Sequence, residues 1–143
     1  MSTMDARLNQ VTFYIPMITV STIAAGTDYT YAFTIAEFAG EFTRAVLSNT
    51  ATIANNTTDY ITTSVKNTTA ATTALTKNST AGSGNYITAA LPIALTVGAD
   101  ADRDFAAADV LTVDNLNTGN GKAITAPAGF LLSWMQNAKS PAD

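Results

Sequence analysis

A chain of 143 residues fits one domain of ordinary size, and at that length folding can bury about 68–70% of the unfolded surface without staples. With no cysteine and no histidine, disulfides, thiolate nucleophiles, zinc sites built on Cys or His, and Ser-His-Asp or Cys-His relays are all excluded. A net charge of −4 with only 13% charged residues leaves no basic footprint for nucleic acid.

Residues 1–10 are polar and lack a period, as expected of an arm that orders only against something else. Residues 11–20, VTFYIPMITV, read as a strand, and Pro16 places it at a sheet edge or at a bulge. Residues 11–25 are the one stretch in which a leader or a membrane span can be sought. Pro16, the interspersed hydroxyl residues and the short apolar run argue for mature structure instead. Synthesis in a cytosol is the expectation, and the lack of cysteine agrees with it.

A turn at residues 25–28 leads into YTYAFTI, residues 29–35, where Tyr29, Tyr31, Phe33 and Ile35 alternate with Thr30, Ala32 and Thr34 as in a half-buried strand. Residues 36–48, AEFAGEFTRAVLS, fit a short helix and a strand equally. Phe38, Phe42, Ala45 and Val46 would line a helix face, but Gly40 weakens the helix. Residues 49–58 read as a loop anchored by Ile53, and residues 59–66, DYITTSVK, as a strand with a Thr/Ser/Lys face. The biased stretch at residues 67–84 reads as loop, strand, loop, with Ala74-Leu75-Thr76 as a short edge strand. Residues 86–91 and 93–97 read as strands broken at Pro92. Residues 98–108 form an acidic connection anchored by Phe105, and residues 110–114 a strand. NLNTGNGK, residues 115–122, is turn-rich, and residues 129–136 make a last strand before a polar tail.

About eight short strands joined by Thr/Asn/Gly turns, with no long helices between them, predict an all-β fold, an antiparallel β-sandwich or jelly roll. Composition agrees: 25 Thr suit a pleated surface, whereas the chain holds only 2 Glu. The expected organisation is an extended N-terminal arm (1–10), one β-sandwich domain (11–137) and a C-terminal tail (138–143). A surface with many hydroxyls and few charges costs little to desolvate and suits contact with other protein.

Few residues offer chemistry. Asp100, Asp102 and Asp104 in GADADRD stand on alternate positions, a spacing that can converge oxygens on calcium. The EF-hand pattern fails, because Phe105 stands where glycine is needed and Leu111 where the bidentate Glu belongs. A solvated acidic turn beside Arg103 is the simpler reading. Asn55, Asn56, Asn67 and Asn78 each open an N-x-S/T triplet, but 11 Asn and 33 Ser or Thr yield about two or three by chance. Tyr29, Tyr31, Tyr60, Tyr86 and Trp134 are the candidates for a sugar-stacking platform, although their places in apolar periods favour packing. Glu37 and Glu41 would share a face if their segment were helical. With no histidine and no phosphate-cradling loop they read as a wet surface, so neither an enzyme nor a cofactor is expected.

The second half carries a resemblance. NNTTDYITTSVKN (Asn55 to Asn67), a Thr/Gly-rich loop, ITAALPIALTV (Ile87 to Val97), FAAADVLTVDNLNTGNG (Phe105 to Gly121) and a terminal hydrophobic strand resemble the small β-sandwich decoration, or cement, proteins of tailed-bacteriophage heads. The resemblance implies a virion protein made in the host cytoplasm. It would bind the outer surface of the expanded capsid, often as a trimer, and brace the major capsid protein, with no nucleic-acid or membrane partner. On this reading the arm and first strand, through Met4, Arg7, Leu8, Val11, Phe13 and Ile15, are the expected capsid contacts. A head fibre or tail-tip part and a glycan-binding sandwich remain the alternatives.

Overall fold

The computed structural model describes residues 10–17, 28–49, 52–78, 85–88, 91–119 and 128–135. Its elements in chain order are β1 (Gln10–Met17), β2 (Asp28–Ile35), β3 (Gly40–Asn49), β4 (Ile53–Ala54), β5 (Tyr60–Asn67), β6 (Thr72–Asn78) and β7 (Asn85–Ile87). There follow β8 (Ile93–Ala94), β9 (Thr96–Val97), a single helical turn α1 (Asp100–Arg103), β10 (Asp104–Phe105), β11 (Val110–Thr118) and β12 (Ala128–Met135). The fold is all-β and antiparallel, as the alternation and the Thr-rich composition predict.

One sheet runs β1-β12-β3, and the far edge of β3 takes up β10 opposite Gly40 and Glu41, then β8 opposite Val46 and Leu47. The other runs β2-β11-β5-β6-β9. Phe42, Ala45 and Leu47 of β3 meet Ile61 and Val65 of β5, Ala74 and Leu75 of β6, and Leu111 and Val113 of β11 in one buried cluster. Alternate residues of β5 and β11 feed it, as in a sandwich core, while on β3 and β6 the alternation is broken where the register shifts past Thr43 and Ala74. Ile53 and Phe105, expected as loop anchors, are both buried in it.

Residues 93–97 do not form one strand. Ile93–Ala94 pairs with β3 in the first sheet, and Thr96–Val97 pairs with β6 in the second. Between them Leu95 is buried and donates its N–H to the Ala45 carbonyl at 2.9 Å. The chain changes sheets at this residue and closes one side of the sandwich.

One open choice is resolved, and three other expectations change. Residues 40–49 are strand, not helix; Gly40, the weak point of a helical reading, lies opposite Phe105, whose ring occupies the space a side chain there would need. Residues 115–118 continue β11 rather than turning, because Asn115 and Asn117 are fully buried and Thr63 hydrogen-bonds to Asn115 Oδ1. Described strand in the segment 86–91 stops at Ile87, and Leu91 donates to the Thr88 carbonyl at 3.0 Å. In β2, Tyr31 is bulged out of register with β11, so the even alternation of YTYAFTI is interrupted.

The NNTTDY stretch has a local reason for its shape. Asn56 Oδ1 accepts the N–H groups of Thr58 and Asp59 at 2.8 and 2.9 Å, an Asx turn that aims the chain into β5. Replacing Asn56 by alanine is expected to cost about 1 kcal/mol, the net worth of a turn hydrogen bond. A urea midpoint that falls with an unchanged slope would show it.

Candidate assembly interface

Where β2 ends, three connections are tied into one node. Ala36 exchanges backbone bonds with the turn before β11, donating to the Asp109 carbonyl at 2.8 Å and accepting from Ala108 at 2.7 Å. Asp109 Oδ2 accepts from the Ala106 N–H at 2.8 Å and from Asn67 Nδ2 at 2.6 Å. Asn67 Oδ1 in turn accepts from the Ala70 N–H in the β5–β6 turn, and Thr69 Oγ1 accepts from the Val110 N–H at 2.9 Å. The node holds the end of β2 and the β5–β6 turn as a rigid rim. Asn67 is 1% exposed with its amide nitrogen committed to Asp109, so its N-x-T triplet offers no accessible acceptor for a glycan.

The acidic residues are separated. Asp100 and Asp102 lie in α1, and Asp104 opens β10. Arg103 bridges Asp100 and Glu41, with its Nη1 at 2.7 Å from Glu41 Oε1, and its guanidinium is held still further toward the charged form by the Asp100 hydrogen bond. Among the described residues no three carboxylates stand close enough together to hold a metal ion. Glu37 is exposed in the bend before β3 while Glu41 lies in the strand, so the two do not share a helix face.

On the outer face of the second sheet Lys66 Nζ stands 3.3 Å from Asp114 Oδ2, which also accepts from Thr112 Oγ1 at 2.8 Å. The pair neutralises itself beside the hydroxyls of Ser64, Thr76 and Thr112, and Ser64, Thr112 and Asp114 are all buried. Tyr60 is half-buried on β5. The side chains of Tyr29, Tyr31, Tyr86 and Trp134 lie outside the described residues, although their strands β2, β7 and β12 are placed.

Of the expected capsid contacts, Met4, Arg7 and Leu8 lie outside the described residues. Val11, Phe13 and Ile15 fall on β1, which is an end strand of its sheet, as Pro16 predicts. Register aligns them with Trp134, Leu132 and Phe130 of β12, and through these with Phe42, Ala45 and Leu47 of β3.

Exposed large apolar residues were not legible in the sequence. Ile35 (59%), Phe38 (45%), Leu91 (60%), Val97 (45%) and Leu116 (38%) stand in solvent. Ile35 and Phe38 flank the node at one end of β2, and Leu116 is paired with Asp28 at the other. In the sequence Ile35 belongs to an alternating apolar series that reads as inward-facing. Register turns it outward: Ile35 lies opposite Val110, whereas the next pair, Thr34 and Leu111, lies in the row whose Leu111 reaches the core. No helix among the described residues is long and apolar enough to cross a membrane.

Neither a protein-family model nor a curated protein matches the chain. Among solved structures, a chain of the cyanophage Pam1 capsid asymmetric unit is similar over 90% of this chain and 85% of its own, with 16% identity and a TM-score of 0.54. A chain in the structure of the infectious bursal disease virus Gx strain covers 92% of this chain and 33% of its own at 11% identity, with a TM-score of 0.42. The likeness to the cyanophage chain is one of fold, over nearly the whole length of both chains.

Proposed function

We propose that the chain is a structural virion protein, a cement or decoration protein that binds the outer surface of a phage head and stabilises the lattice of the major capsid protein. The observation that carries this is the fold likeness, over nearly the whole of both chains, to a chain of a cyanophage capsid. The hydroxyl-rich, weakly charged surface and the scattered exposed apolar side chains support it, since such a surface loses little on being covered. A protein that binds only the expanded lattice shifts the equilibrium toward that lattice, and many copies multiply a modest contact.

In this role the capsid contact falls on the arm, with Met4, Arg7 and Leu8, and on the edge strand β1 with Val11, Phe13 and Ile15. Because register places those three in line with the core row of β3, the free backbone edge of β1 is the proposed point of strand addition. The protein acts as a homo-oligomer, with a trimer at a three-fold position as the favoured arrangement.

Immunogold labelling and cosedimentation with particles from the source culture test the proposal. Regular label over intact heads is the expected result. Label confined to tails or fibres would make the chain a different virion part, and particles free of label would return a glycan-binding module to consideration.

A further inference from the structure

The strand edges of this sandwich are protected to very different degrees. Along β3 the outer edge is taken up by β8 and β10, two residues each, and β9 is also two residues long. Edges this short offer little to an incoming strand. β1 has eight residues but carries Pro16, which cannot donate to a ladder. β2 has eight residues, DYTYAFTI, and no proline, lysine or arginine; its one charge is Asp28 at the first position, and its one irregularity is the bulge at Tyr31. Thr30 and Thr34 are exposed, and so is Ile35. It is an end strand of its sheet, hydrogen-bonded only to β11 among the described strands. A β-prone edge of about 26 Å without gatekeeper charges is a template for strand pairing.

We infer that the free edge of β2 is where one copy of this chain pairs with another, antiparallel and about a two-fold axis; this rests on the reading of the chain as an assembly part. Charge selects both the occupant and the direction. Antiparallel self-pairing carries the two Asp28 positions to opposite ends of the joint, about 23 Å apart at full overlap and well beyond the screening length of about 8 Å. Parallel pairing would set them side by side. Each copy also lays its exposed Ile35 beside the beginning of the other's β2, and Phe38 and Leu116 rim the joint. The contact uses the same strand from both copies and so closes after two. In an assembly of trimers it therefore lies between trimers rather than within one.

The test uses the purified full chain without capsid, so its outcome is independent of where the protein sits on a particle. Sedimentation equilibrium over a concentration series is expected to show pairwise association, of single copies or of trimers, with β2 amides exchanging more slowly as concentration rises. The double variant Thr30→Lys, Thr34→Lys places charges on the edge at two exposed positions. It should weaken dimerisation at least ten-fold while the circular dichroism melting temperature stays within a few degrees of the parent's. A chain monomeric throughout, with β2 exchange independent of concentration, would overturn the inference. So would an oligomer of any order that the lysines leave unchanged.

Discussion

Replacing Phe105 by alanine is expected to lower the unfolding free energy by about 3–5 kcal/mol, a large part of the roughly 5–15 kcal/mol that holds a domain together. Phe105 is 5% exposed although it belongs to a strand of only two residues. Its ring lies 5.0 Å from that of Phe42, tilted at 53°, and covers Gly40 across the strand pair. Residues 98–109 are otherwise held by backbone bonds such as Gly98 N–H to the Ala74 carbonyl, by the Arg103 bridge to Glu41 and by the node at Asp109, so Phe105 is their one large side chain in the core. Urea unfolding reads the loss as a lower midpoint.

A double-mutant cycle makes this prediction sharper. A methyl group on Gly40 would stand 2.5 Å from Phe105 Cζ, and the buried ring, packed against that of Phe42, has little room to move. Gly40→Ala alone is therefore destabilising. In the Phe105→Ala background the same methyl enters vacated space and stiffens the unfolded chain. The two losses should then fall short of additivity by at least about 1 kcal/mol, and additivity within about 0.5 kcal/mol would mean that the ring does not cover the glycine.

Much of the fold was readable from periodicity. Ile53, Leu75 and Phe105 announce themselves as lone apolar residues in polar surroundings, and each is buried. Pro16 points to an edge or a bulge, and among the described strands β1 is indeed an end strand, where a missing N–H is tolerable. What failed needed knowledge of a partner strand. Asn115-Leu116-Asn117-Thr118 has the composition of a turn, yet Asn115 and Asn117 face inward at 0% exposure beside Thr63 and Ile61 of β5. A buried amide is tolerable only with polar company, and that company is 52 residues away in the chain. Likewise nothing local in Ile93-Ala94-Leu95-Thr96-Val97 shows that its two halves belong to different sheets. The candidate interface was the least legible part, since both the outward side of Ile35 and the end position of β2 are set by its pairing with β11. Alternation shows that a strand has two faces but not whether a neighbour lies beside it.

The second large effect is expected at Gly119, where substitution by alanine should cost about 3 kcal/mol. Gly119 closes β11 at φ +76°, a conformation that costs a residue with a Cβ about 1–2 kcal/mol. A Cβ there would also stand 2.1 Å from the Thr58 carbonyl oxygen and 2.5 Å from Asp59 Oδ1. Thr58 cannot easily give way, because Asn56 holds the N–H groups of Thr58 and Asp59 in the Asx turn before β5. The chain supplies its own control for the conformational share of this cost. Ala71 and Ala108 sit at φ 57° and 72°, so Ala71→Gly and Ala108→Gly relieve strain and should each be neutral or stabilising by up to about 1 kcal/mol, the relief being offset in part by the freer unfolded chain. A loss at Gly119 clearly larger than the gain at Ala71 or Ala108, read from thermal unfolding midpoints, would assign the excess to its contact with the Thr58 carbonyl. A neutral Gly119→Ala would show that the end of β11 is not pressed against the start of β5.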